Sequence, residues 1–351
     1  MLFAGSCRAI TDRSKKMNNG TRKTGPDLPC IPTINLEAFI VGTAAEQRTI
    51  AAEVDEICRT TGFLVIERHG LPDPVITEAW TQVSAFFDLP LAEKLKSRSP
   101  DPTCPRGYFP MAAESLARSL GVETPPDLKE SFGIGPLSPP GTPIPSDDLD
   151  FHYGPNLWPA EPGGLRPALT RYFTELQALG SRVLRLFAAA LDLPHDYFER
   201  FHTDPMCALR CIRYPAQDGP VATDQRGAGE HSDYGSITLL KPDPAVAGLE
   251  IRLPSGRWAA APLVQDAFIV NIGDMMARWT NDRWVSTRHR VVAPGGSQGN
   301  RQSIAFFHNT SYDASIECIP TCSNATNPPR YAPVEAGQYL YERFTSAVNY
   351  A

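Results

Sequence analysis

Two histidines and an aspartate in the C-terminal half of the sequence have a spacing that suits binding of a single metal ion. His231 and Asp233 stand in the string EHSDYGSITLL, and alternate residues of a strand project to the same face. His289 lies in a second, β-branched segment, WVSTRHRVV. Two imidazoles and one carboxylate form the facial triad that selects iron(II) and leaves coordination positions open. Taken singly, the His–Asp pair also fits an ordinary surface pair, and His289 also fits a buried histidine with a hydrogen-bond partner.

A second group of polar residues predicts a site for a dicarboxylate. Arg301 and Ser303 share a strand face in RQSIAFF, and a Pro-Gly-Gly turn signal at 294–296 lies midway between His289 and Arg301. A hairpin there would set these two residues opposite each other. A dicarboxylate with one end on the metal would then meet the planar guanidinium of Arg301, which matches a carboxylate with paired hydrogen bonds. Tyr214 could add a hydroxyl at that far end, although Arg301 also fits a surface ion pair.

The surrounding sequence predicts helices in the first half of the chain and strands in the second. Helical spacing of apolar residues is found at 44–60, 73–87, 90–97 and 167–191. Short strands are predicted at 31–36 and 63–66, and the proline-rich stretch 100–165 predicts long loops. After Pro205, apolar runs between turn residues indicate an antiparallel sandwich or barrel; they occupy 208–214, 231–240, 248–253, 257–259, 267–272, 285–292 and 301–309.

Charge and cysteine content exclude several classes of partner. Acidic residues outnumber basic ones by 39 to 33, which gives a net charge of −6, and no long basic run predicts a nucleic-acid partner. No apolar run approaches the roughly 18 residues of a membrane span. The eight cysteines form no CxxC pair and no zinc pattern, so we expect free thiols and a cytoplasmic protein.

Taken together, these motifs resemble the isopenicillin N synthase-like family of iron(II)/2-oxoglutarate-dependent dioxygenases. The matching strings are HSD at 231–233, His289 and RQS at 301–303, supported by RYP at 213–215 and DLKESF at 127–132. The resemblance covers roughly residues 29–345. It implies a mainly β fold with α-helices, in which a double-stranded β-helix (jelly roll) is flanked by helices and preceded by a long helical segment.

The resemblance also implies a role for each candidate residue. His231, Asp233 and His289 would bind iron, and the distal carboxylate of 2-oxoglutarate would be bound by Arg301, Ser303 and Tyr214. Many plant members carry asparagine where this sequence has Ile212, which bears on the co-substrate site. We expect a disordered leader over 1–28, an N-terminal dioxygenase region over 29–165, and a catalytic jelly-roll region over 166–345 that forms one compact unit with the region before it.

The implied activity is oxidation of a C–H bond of a small organic metabolite, in secondary metabolism. It would use iron(II), 2-oxoglutarate and dioxygen, with ascorbate as a candidate stimulant, and the outcome could be hydroxylation, desaturation, epimerisation or ring formation. An iron- and dioxygen-dependent oxidase that needs no 2-oxoglutarate is one alternative, because isopenicillin N synthase and the plant ethylene-forming oxidase keep Arg-x-Ser as well. A catalytically silent binding protein is the other.

Candidate substrate-facing residues come from strand faces, from the family pattern and from the loop region. The strand of Arg301 continues on the same face to Phe307, and Gly235 is expected to allow a bulge before the next strand. Besides Arg210, the candidate set is Thr238, Leu240, Val291, Phe307 and the lid candidates Arg106, Tyr108 and Phe132. The apolar members also fit an ordinary barrel core.

Arg210 shares a strand face with Tyr214 and is expected to point into the barrel. An unpaired guanidinium there is unfavourable, so an anion should meet it. An internal carboxylate, Glu130 or Glu114, is one candidate. The other is a carboxylate or amide oxygen of the substrate, which would make Arg210 part of the substrate pocket.

Overall fold

The computed structural model describes residues 31–347, apart from 102, 218, 220–223 and 296–298, and the leader expected over 1–28 lies outside the described residues. Its α-helices are α1 (Leu36–Val41), α2 (Ala44–Thr60), α3 (Asp73–Phe87), α4 (Leu91–Leu95), α5 (Ser146–Tyr153), α6 (Leu165–Ala190), α7 (Asp274–Trp279) and α8 (Ala336–Ala347). Within the described ranges, no helix is both long and apolar enough to cross a membrane.

The strands are β1 (Thr33–Asn35), β2 (Phe63–Glu67), β3 (Gly107–Phe109), β4 (Glu130–Ile134), β5 (Ala208–Tyr214), β6 (Ala228–His231), β7 (Ile237–Lys241), β8 (Leu249–Arg252), β9 (Trp258–Ala260), β10 (Ala267–Ile272), β11 (His289–Val291), β12 (Arg301–His308), β13 (Ser315–Ile316) and β14 (Val334–Glu335). An eight-stranded sheet has the order β1-β2-β10-β7-β12-β5-β4-β3, and a four-stranded sheet has the order β6-β11-β8-β9. The two sheets form the jelly roll, and β13 pairs with β14 apart from them.

The eight-stranded sheet has an apolar core on each of its faces. Successive strand residues point to opposite faces, and β2 shows the consequence most clearly. Leu64 and Ile66 pack with the helices, among them the long α6, whereas Phe63 and Val65 pack into the space between the two sheets. The apolar string at 63–66 is therefore buried on both sides, as its lack of polar residues predicts.

The N-terminal region contributes strands to the same large sheet as the C-terminal region. β1 and β2 join it through β10, and β3 and β4 join it through β5. The eight-stranded sheet therefore contains strands from both the expected helical first half and the expected barrel second half. The helices over 44–60 and 73–87 have the expected bounds, whereas the stretch 100–165, expected to be loops, also holds β3, β4 and α5. The C-terminal helix α8 was not expected.

Gly62 lies between the end of α2 at Thr60 and the start of β2 at Phe63, in a conformation that favours glycine. Its φ is +62°, and an added Cβ would lie 2.1 Å from the carbonyl oxygen of Val285. Gly70 has a similar φ of +75°, but an added Cβ there would meet nothing within 4 Å. The two glycines therefore share the left-handed backbone, whereas Gly62 is buried against a neighbouring segment and Gly70 is exposed.

We predict that Gly70→Ala lowers the free energy of unfolding by about 1–2 kcal/mol, the expected penalty of a left-handed backbone. Gly62→Ala should lower it by more than about 4 kcal/mol, because the new methyl group also collides with the Val285 carbonyl. Urea unfolding of both variants measures the difference. Equal losses of unfolding free energy would show that the Val285 carbonyl moves away from the new methyl group at no energetic penalty.

Candidate active site

The predicted metal ligands converge at one end of the four-stranded sheet. His231, the last residue of β6, pairs with His289, the first residue of β11, and their ring centroids lie 4.3 Å apart. Asp233 Oδ1 lies 3.9 Å from Nε2 of His231 and 3.7 Å from Nε2 of His289. One ligand atom from each of the three residues lies within 4.8 Å of the others, so together they could hold one metal ion.

Asp233 does not share a strand with His231, contrary to the sequence-based expectation. β6 ends at His231, and Asp233 lies in the turn that leads to β7. The expected bulge at Gly235 falls in the same turn, where an added Cβ would lie 1.8 Å from Oδ1 of Asn309. The turn brings the Asp233 carboxylate back over the two imidazoles. Its position therefore depends on the turn and not on the alternation of side chains along a strand.

Backbone carbonyls orient both imidazoles. Nδ1 of His231 lies 2.7 Å from the Gly229 oxygen, and Nδ1 of His289 lies 3.1 Å from the Thr287 oxygen. A carbonyl oxygen only accepts, so each Nδ1 carries the proton and donates it. Each Nε2 is therefore left as a lone-pair ligand facing Asp233, the arrangement that partners of metal-bound histidines impose.

The Asp233 carboxylate is held by two side chains of the large sheet. Its Oδ2 accepts hydrogen bonds from Thr238 Oγ1 at 2.5 Å and from Asn271 Nδ2 at 2.7 Å. Thr238, on β7, was expected to face substrate, and Asn271, on β10, was not singled out in the sequence. A polar residue within the apolar string AFIVNI is the signal that could have identified Asn271.

Ionisation at this site favours metal binding. Burial, together with the neighbouring His289, lowers the pKa of His231 to about 3. Burial opposes ionisation of Asp233, but the two histidines and the hydrogen bonds from Asn271 and Thr238 outweigh it and lower the pKa of its carboxyl. At neutral pH His231 is thus neutral and Asp233 is charged, which are the protonation states that metal ligands need.

Arg301 lies in the same cavity as the triad but not opposite His289. β11 and β12 belong to different sheets, so the hairpin expected around 294–296 is wrong, and Arg301 pairs with Tyr214 on β5 instead. The guanidinium lies 4.9 Å from the centroid of the Tyr214 ring. Arg301 is 2% exposed, and its Nε and Nη1 have no hydrogen-bond partner among the described residues. Ser303 and Tyr214 line the cavity beside it.

Two family profiles match the chain. One, described as the N-terminal region of the non-haem dioxygenase in morphine synthesis, matches residues 31–161, and the other, the 2OG-Fe(II) oxygenase superfamily, matches residues 203–310. The chain belongs to the iron(II)/2-oxoglutarate-dependent oxygenases of the isopenicillin N synthase-like family. Iron(II), 2-oxoglutarate and dioxygen are accordingly the cofactors and co-substrates of this enzyme class.

Known relatives align along most of the chain. The 2-oxoglutarate-dependent dioxygenase traH of Penicillium crustosum is 33% identical over 83% of this chain and 87% of its own length. The clavatol oxidase claD of the same organism is 32% identical over 90% of this chain and 96% of its own length. A full-length Neurospora crassa protein, solved in complex with alpha-KG, superposes with a TM-score of 0.81 at 31% identity, covering 93% of this chain and 98% of that one. The same Neurospora crassa protein has been solved with alpha-KG and thymine.

The cavity of this oxygenase lies between the two sheets and extends to α5 and α8. Most of the predicted substrate-facing residues line it, namely Arg106, Arg210, Thr238, Leu240, Val291 and Phe307. Leu340 and Phe344 of α8 and Phe151 of α5 also line it and were not predicted. Phe151 packs against Phe344 with ring centroids 5.1 Å apart, so the two helices cover this end of the cavity together.

Tyr108 and Phe132 do not line the cavity of this oxygenase, although both were predicted to. Gly133 pairs with Arg210 and faces the cavity, so its neighbour Phe132, which pairs with Cys211, faces the helices. Tyr108 pairs with Phe132 across β3 and β4 and faces the same way. Phe132 packs against Phe86 of α3, with ring centroids 4.9 Å apart.

Arg106 lines the cavity and also holds α5 in place. It is 2% exposed, and its guanidinium donates to the carbonyl oxygens of Asp150, Phe151 and His152. These carbonyls belong to the last turn of α5, where the helix dipole favours a positive charge. Arg106 therefore acts on the cavity chiefly through the helix that covers it.

Arg210 meets an internal carboxylate, one of the two outcomes anticipated for it. Its Nη2 donates to Glu114 Oε1 at 2.8 Å, and Glu114 Oε2 lies 3.4 Å from Nζ of Lys129. Burial opposes ionisation of Glu114, but the charges of Arg210 and Lys129 outweigh it and lower the pKa of the carboxyl to about 2. The other anticipated carboxylate, Glu130, binds Lys94 at 2.6 Å and the Tyr108 hydroxyl at 2.6 Å.

We predict that Glu114→Gln lowers the free energy of unfolding at pH 7 by about 3 kcal/mol, because it leaves Arg210 and Lys129 short of a buried counter-charge. Glu93→Gln, which breaks an exposed pair with Lys96, should change it by less than about 1 kcal/mol. A lowered carboxyl pKa stabilises the fold above the unfolded pKa, and this stabilisation is lost as the pH falls through the folded pKa. In urea unfolding, the difference in unfolding free energy between Glu114→Gln and the unmodified protein should therefore become smaller as the pH falls from 4.5 toward 2. A difference that stays constant with pH would contradict the ion-pair assignment.

Proposed function

We propose that this chain is a dioxygenase that couples oxidation of a C–H bond in a small organic metabolite to turnover of 2-oxoglutarate. The observation that carries the proposal is a buried arginine, Arg301, with unpaired N–H groups in the same cavity as the triad. A buried guanidinium without a counter-charge is unfavourable, and the distal carboxylate of 2-oxoglutarate would supply that charge. The triad carboxylate, Asp233, is already committed to Thr238, Asn271 and the histidines.

Each residue of the site has a distinct role in this proposal. His231, Asp233 and His289 bind iron(II), and Arg301, Ser303 and Tyr214 bind the distal carboxylate of 2-oxoglutarate. When bound, iron, 2-oxoglutarate and dioxygen supply the oxidant for the substrate C–H bond, and 2-oxoglutarate leaves as succinate and carbon dioxide. The apolar side chains of α5 and α8 exclude water from the covered end of the cavity.

The cavity lining supports a substrate with a mainly apolar body and a neutral hydrogen-bond acceptor. The apolar part is provided by Leu240, Val291, Phe307, Ile212, Leu340 and Phe344. Arg210 is a polar contact on the wall formed by β5, and its charge is already balanced by Glu114. A carbonyl or amide oxygen can accept a hydrogen bond from such a balanced guanidinium, whereas a carboxylate would bring an excess negative charge. The thymine in the Neurospora crassa complex is a neutral molecule of this kind, and the name of the clavatol oxidase supports a role in secondary metabolism.

The direct test of the function is succinate formation by the purified protein with iron(II), 2-oxoglutarate and air, across a panel of small metabolites. A compound that stimulates succinate release and is itself oxidised supports the proposal. Oxidation of a compound with consumption of dioxygen but no succinate would instead identify an oxidase that does not use 2-oxoglutarate.

We predict that Arg301→Lys raises the dissociation constant of 2-oxoglutarate more than tenfold, because an ammonium keeps the charge but loses the planar fork. Calorimetric titration of the Mn²⁺-loaded protein measures this constant without a known substrate. Arg290→Lys is the matched control, since Arg290 stands on β11 and pairs with Glu250 at 2.7 Å, outside the cavity. Affinity for Mn²⁺ should be unchanged in both variants, and an unchanged affinity for 2-oxoglutarate in Arg301→Lys would remove Arg301 from the site.

We also predict that neutral amides stimulate succinate release more strongly than the matching carboxylates, for example phenylacetamide more than phenylacetate. Arg210→Leu should weaken stimulation by the amides at least fivefold, because it removes the guanidinium donor, and it should not improve stimulation by the carboxylates, because the charge of Glu114 remains. Phe307→Ala should raise the Michaelis constant for both members of a pair alike, because it removes apolar contact area. A preference of the unmodified enzyme for the carboxylates would contradict the neutral-acceptor assignment.

A further inference from the structure

The iron-ligand strand β6 has an outer edge that its own sheet leaves unpaired. β6 is the outermost strand of the four-stranded sheet, and β11 pairs with its inner edge only. The chain around 114–128 covers the outer edge. Leu128 N–H donates to the Arg226 oxygen at 2.9 Å just before the strand, and Asp127 Oδ1 accepts from Gly229 N–H at 2.9 Å within it. Asp127 thus accepts the hydrogen bond of a β6 backbone N–H that a neighbouring strand would otherwise accept.

Gly229 is also the residue that orients His231. Its carbonyl oxygen accepts the Nδ1 proton of His231 at 2.7 Å, while its N–H is bound by Asp127. The two backbone groups of a single glycine therefore connect a buried carboxylate to a metal ligand. A glycine has the most freedom to rotate of any residue, so an external partner matters more here than at a residue with a side chain.

Asp127 is itself held firmly in place. It is 2% exposed, and its Oδ2 accepts from Leu116 N–H at 3.2 Å and pairs with Lys129 Nζ at 3.1 Å. The covering chain also approaches β6 closely, because a Cβ added to Gly229 would lie 3.0 Å from the backbone nitrogen of Ala117. Asp127 can therefore fix Gly229 rather than follow its movements.

We propose that Asp127 is a positioning residue for the iron ligand His231 and acts through Gly229. The inference rests on the proposed function, in which His231 binds iron. Loss of the Asp127 carboxylate leaves the N–H of Gly229 without its acceptor, so the Gly229 peptide can rotate. The Gly229 carbonyl then no longer fixes the Nδ1–H of His231, and Nε2 is no longer oriented toward the metal. Partners of metal-bound histidines contribute about 10- to 100-fold to metal affinity.

A purely structural role for Asp127, as the counter-charge of Lys129, gives a different expectation. When Asp127 is replaced, Lys129 keeps Glu114 as a carboxylate partner at 3.4 Å, although it then shares Glu114 with Arg210. A structural role would lower stability without changing metal affinity in the folded protein. The positioning role changes metal affinity in the folded protein and leaves the Arg301 end of the cavity unaffected.

The test is calorimetric titration of the metal-free, full-length protein with Mn²⁺. Asp127→Leu, which removes the acceptor at similar size, should raise the Mn²⁺ dissociation constant about 10- to 100-fold. Asp127→Asn should raise it by about threefold, because an amide oxygen accepts a weaker hydrogen bond than a carboxylate. At saturating Mn²⁺, the affinity of both variants for 2-oxoglutarate should equal that of the unmodified protein.

Asp55→Asn is the matched control, because Asp55 also accepts from neighbouring donors, among them Trp284 Nε1 at 2.8 Å, but lies on α2. It should lower the melting temperature and leave Mn²⁺ affinity unchanged. Wild-type Mn²⁺ affinity in any folded Asp127 variant overturns the positioning role, as does an equal loss of Mn²⁺ and 2-oxoglutarate affinity. His231→Ala distinguishes an error in the metal assignment from an error in the role of Asp127. Normal Mn²⁺ binding by His231→Ala would show that the metal assignment is wrong. Loss of Mn²⁺ binding by His231→Ala, with normal binding by the Asp127 variants, would show that only the role of Asp127 is wrong.

Discussion

The Asp233 carboxylate has to remain ionised inside the protein, and much of the architecture follows from that requirement. A buried charge is tolerated only when partners surround it. Asp233 receives two hydrogen bonds from the eight-stranded sheet, through Thr238 and Asn271, and faces two imidazoles of the four-stranded sheet. The carboxylate therefore lies where the two sheets of the jelly roll meet, and their relative position determines the geometry of the metal site.

Two arginines in the cavity differ in how their charge is balanced, and the proposed function assigns them to different molecules for that reason. Arg301 has unpaired N–H groups and no carboxylate partner among the described residues, which leaves its charge for an incoming anion. Arg210 is paired with Glu114, whose pKa is lowered to about 2, so the charge on that wall is already balanced. A doubly charged co-substrate at the first and a neutral substrate at the second satisfy both without an uncompensated buried charge.

The sequence predicted local structure well because local structure depends on near neighbours. Apolar spacing gave α2 and α3 with their observed bounds, and the all-apolar string at 63–66 predicted a strand buried on both faces. Residue types and spacing, together with the family resemblance, also identified His231, Asp233 and His289, which the structure brings together. Here chemistry restricted the choice, since few combinations of side chains can bind one metal ion.

The errors concern long-range pairing, which local patterns do not encode. A Pro-Gly-Gly turn ends a strand, but it does not say whether the next strand joins the same sheet. β11 and β12 join different sheets, so Arg301 faces Tyr214 rather than His289. The same limit explains Phe132, because alternation along β4 is visible in the sequence but its phase is set by the pairing of Gly133 with Arg210. The helix α8 was not predicted at all, and a predicted helix at 336–347 would still not have shown that it covers the cavity.

The motif DLKESF shows how a segment without a catalytic group can organise the whole site. Lys129 joins Asp127 to Glu114, and Glu114 in turn balances Arg210 on the cavity wall. Glu130, the next residue and the first of β4, binds Lys94 and the Tyr108 hydroxyl. The charged residues of this segment thus connect the edge of the metal-ligand strand, the substrate wall and the helical layer. Because these charges are buried or half-buried and mutually paired, a shift at any one of them disturbs the others, and we expect the segment to behave as one rigid unit that links β4 of the eight-stranded sheet to β6 of the four-stranded sheet.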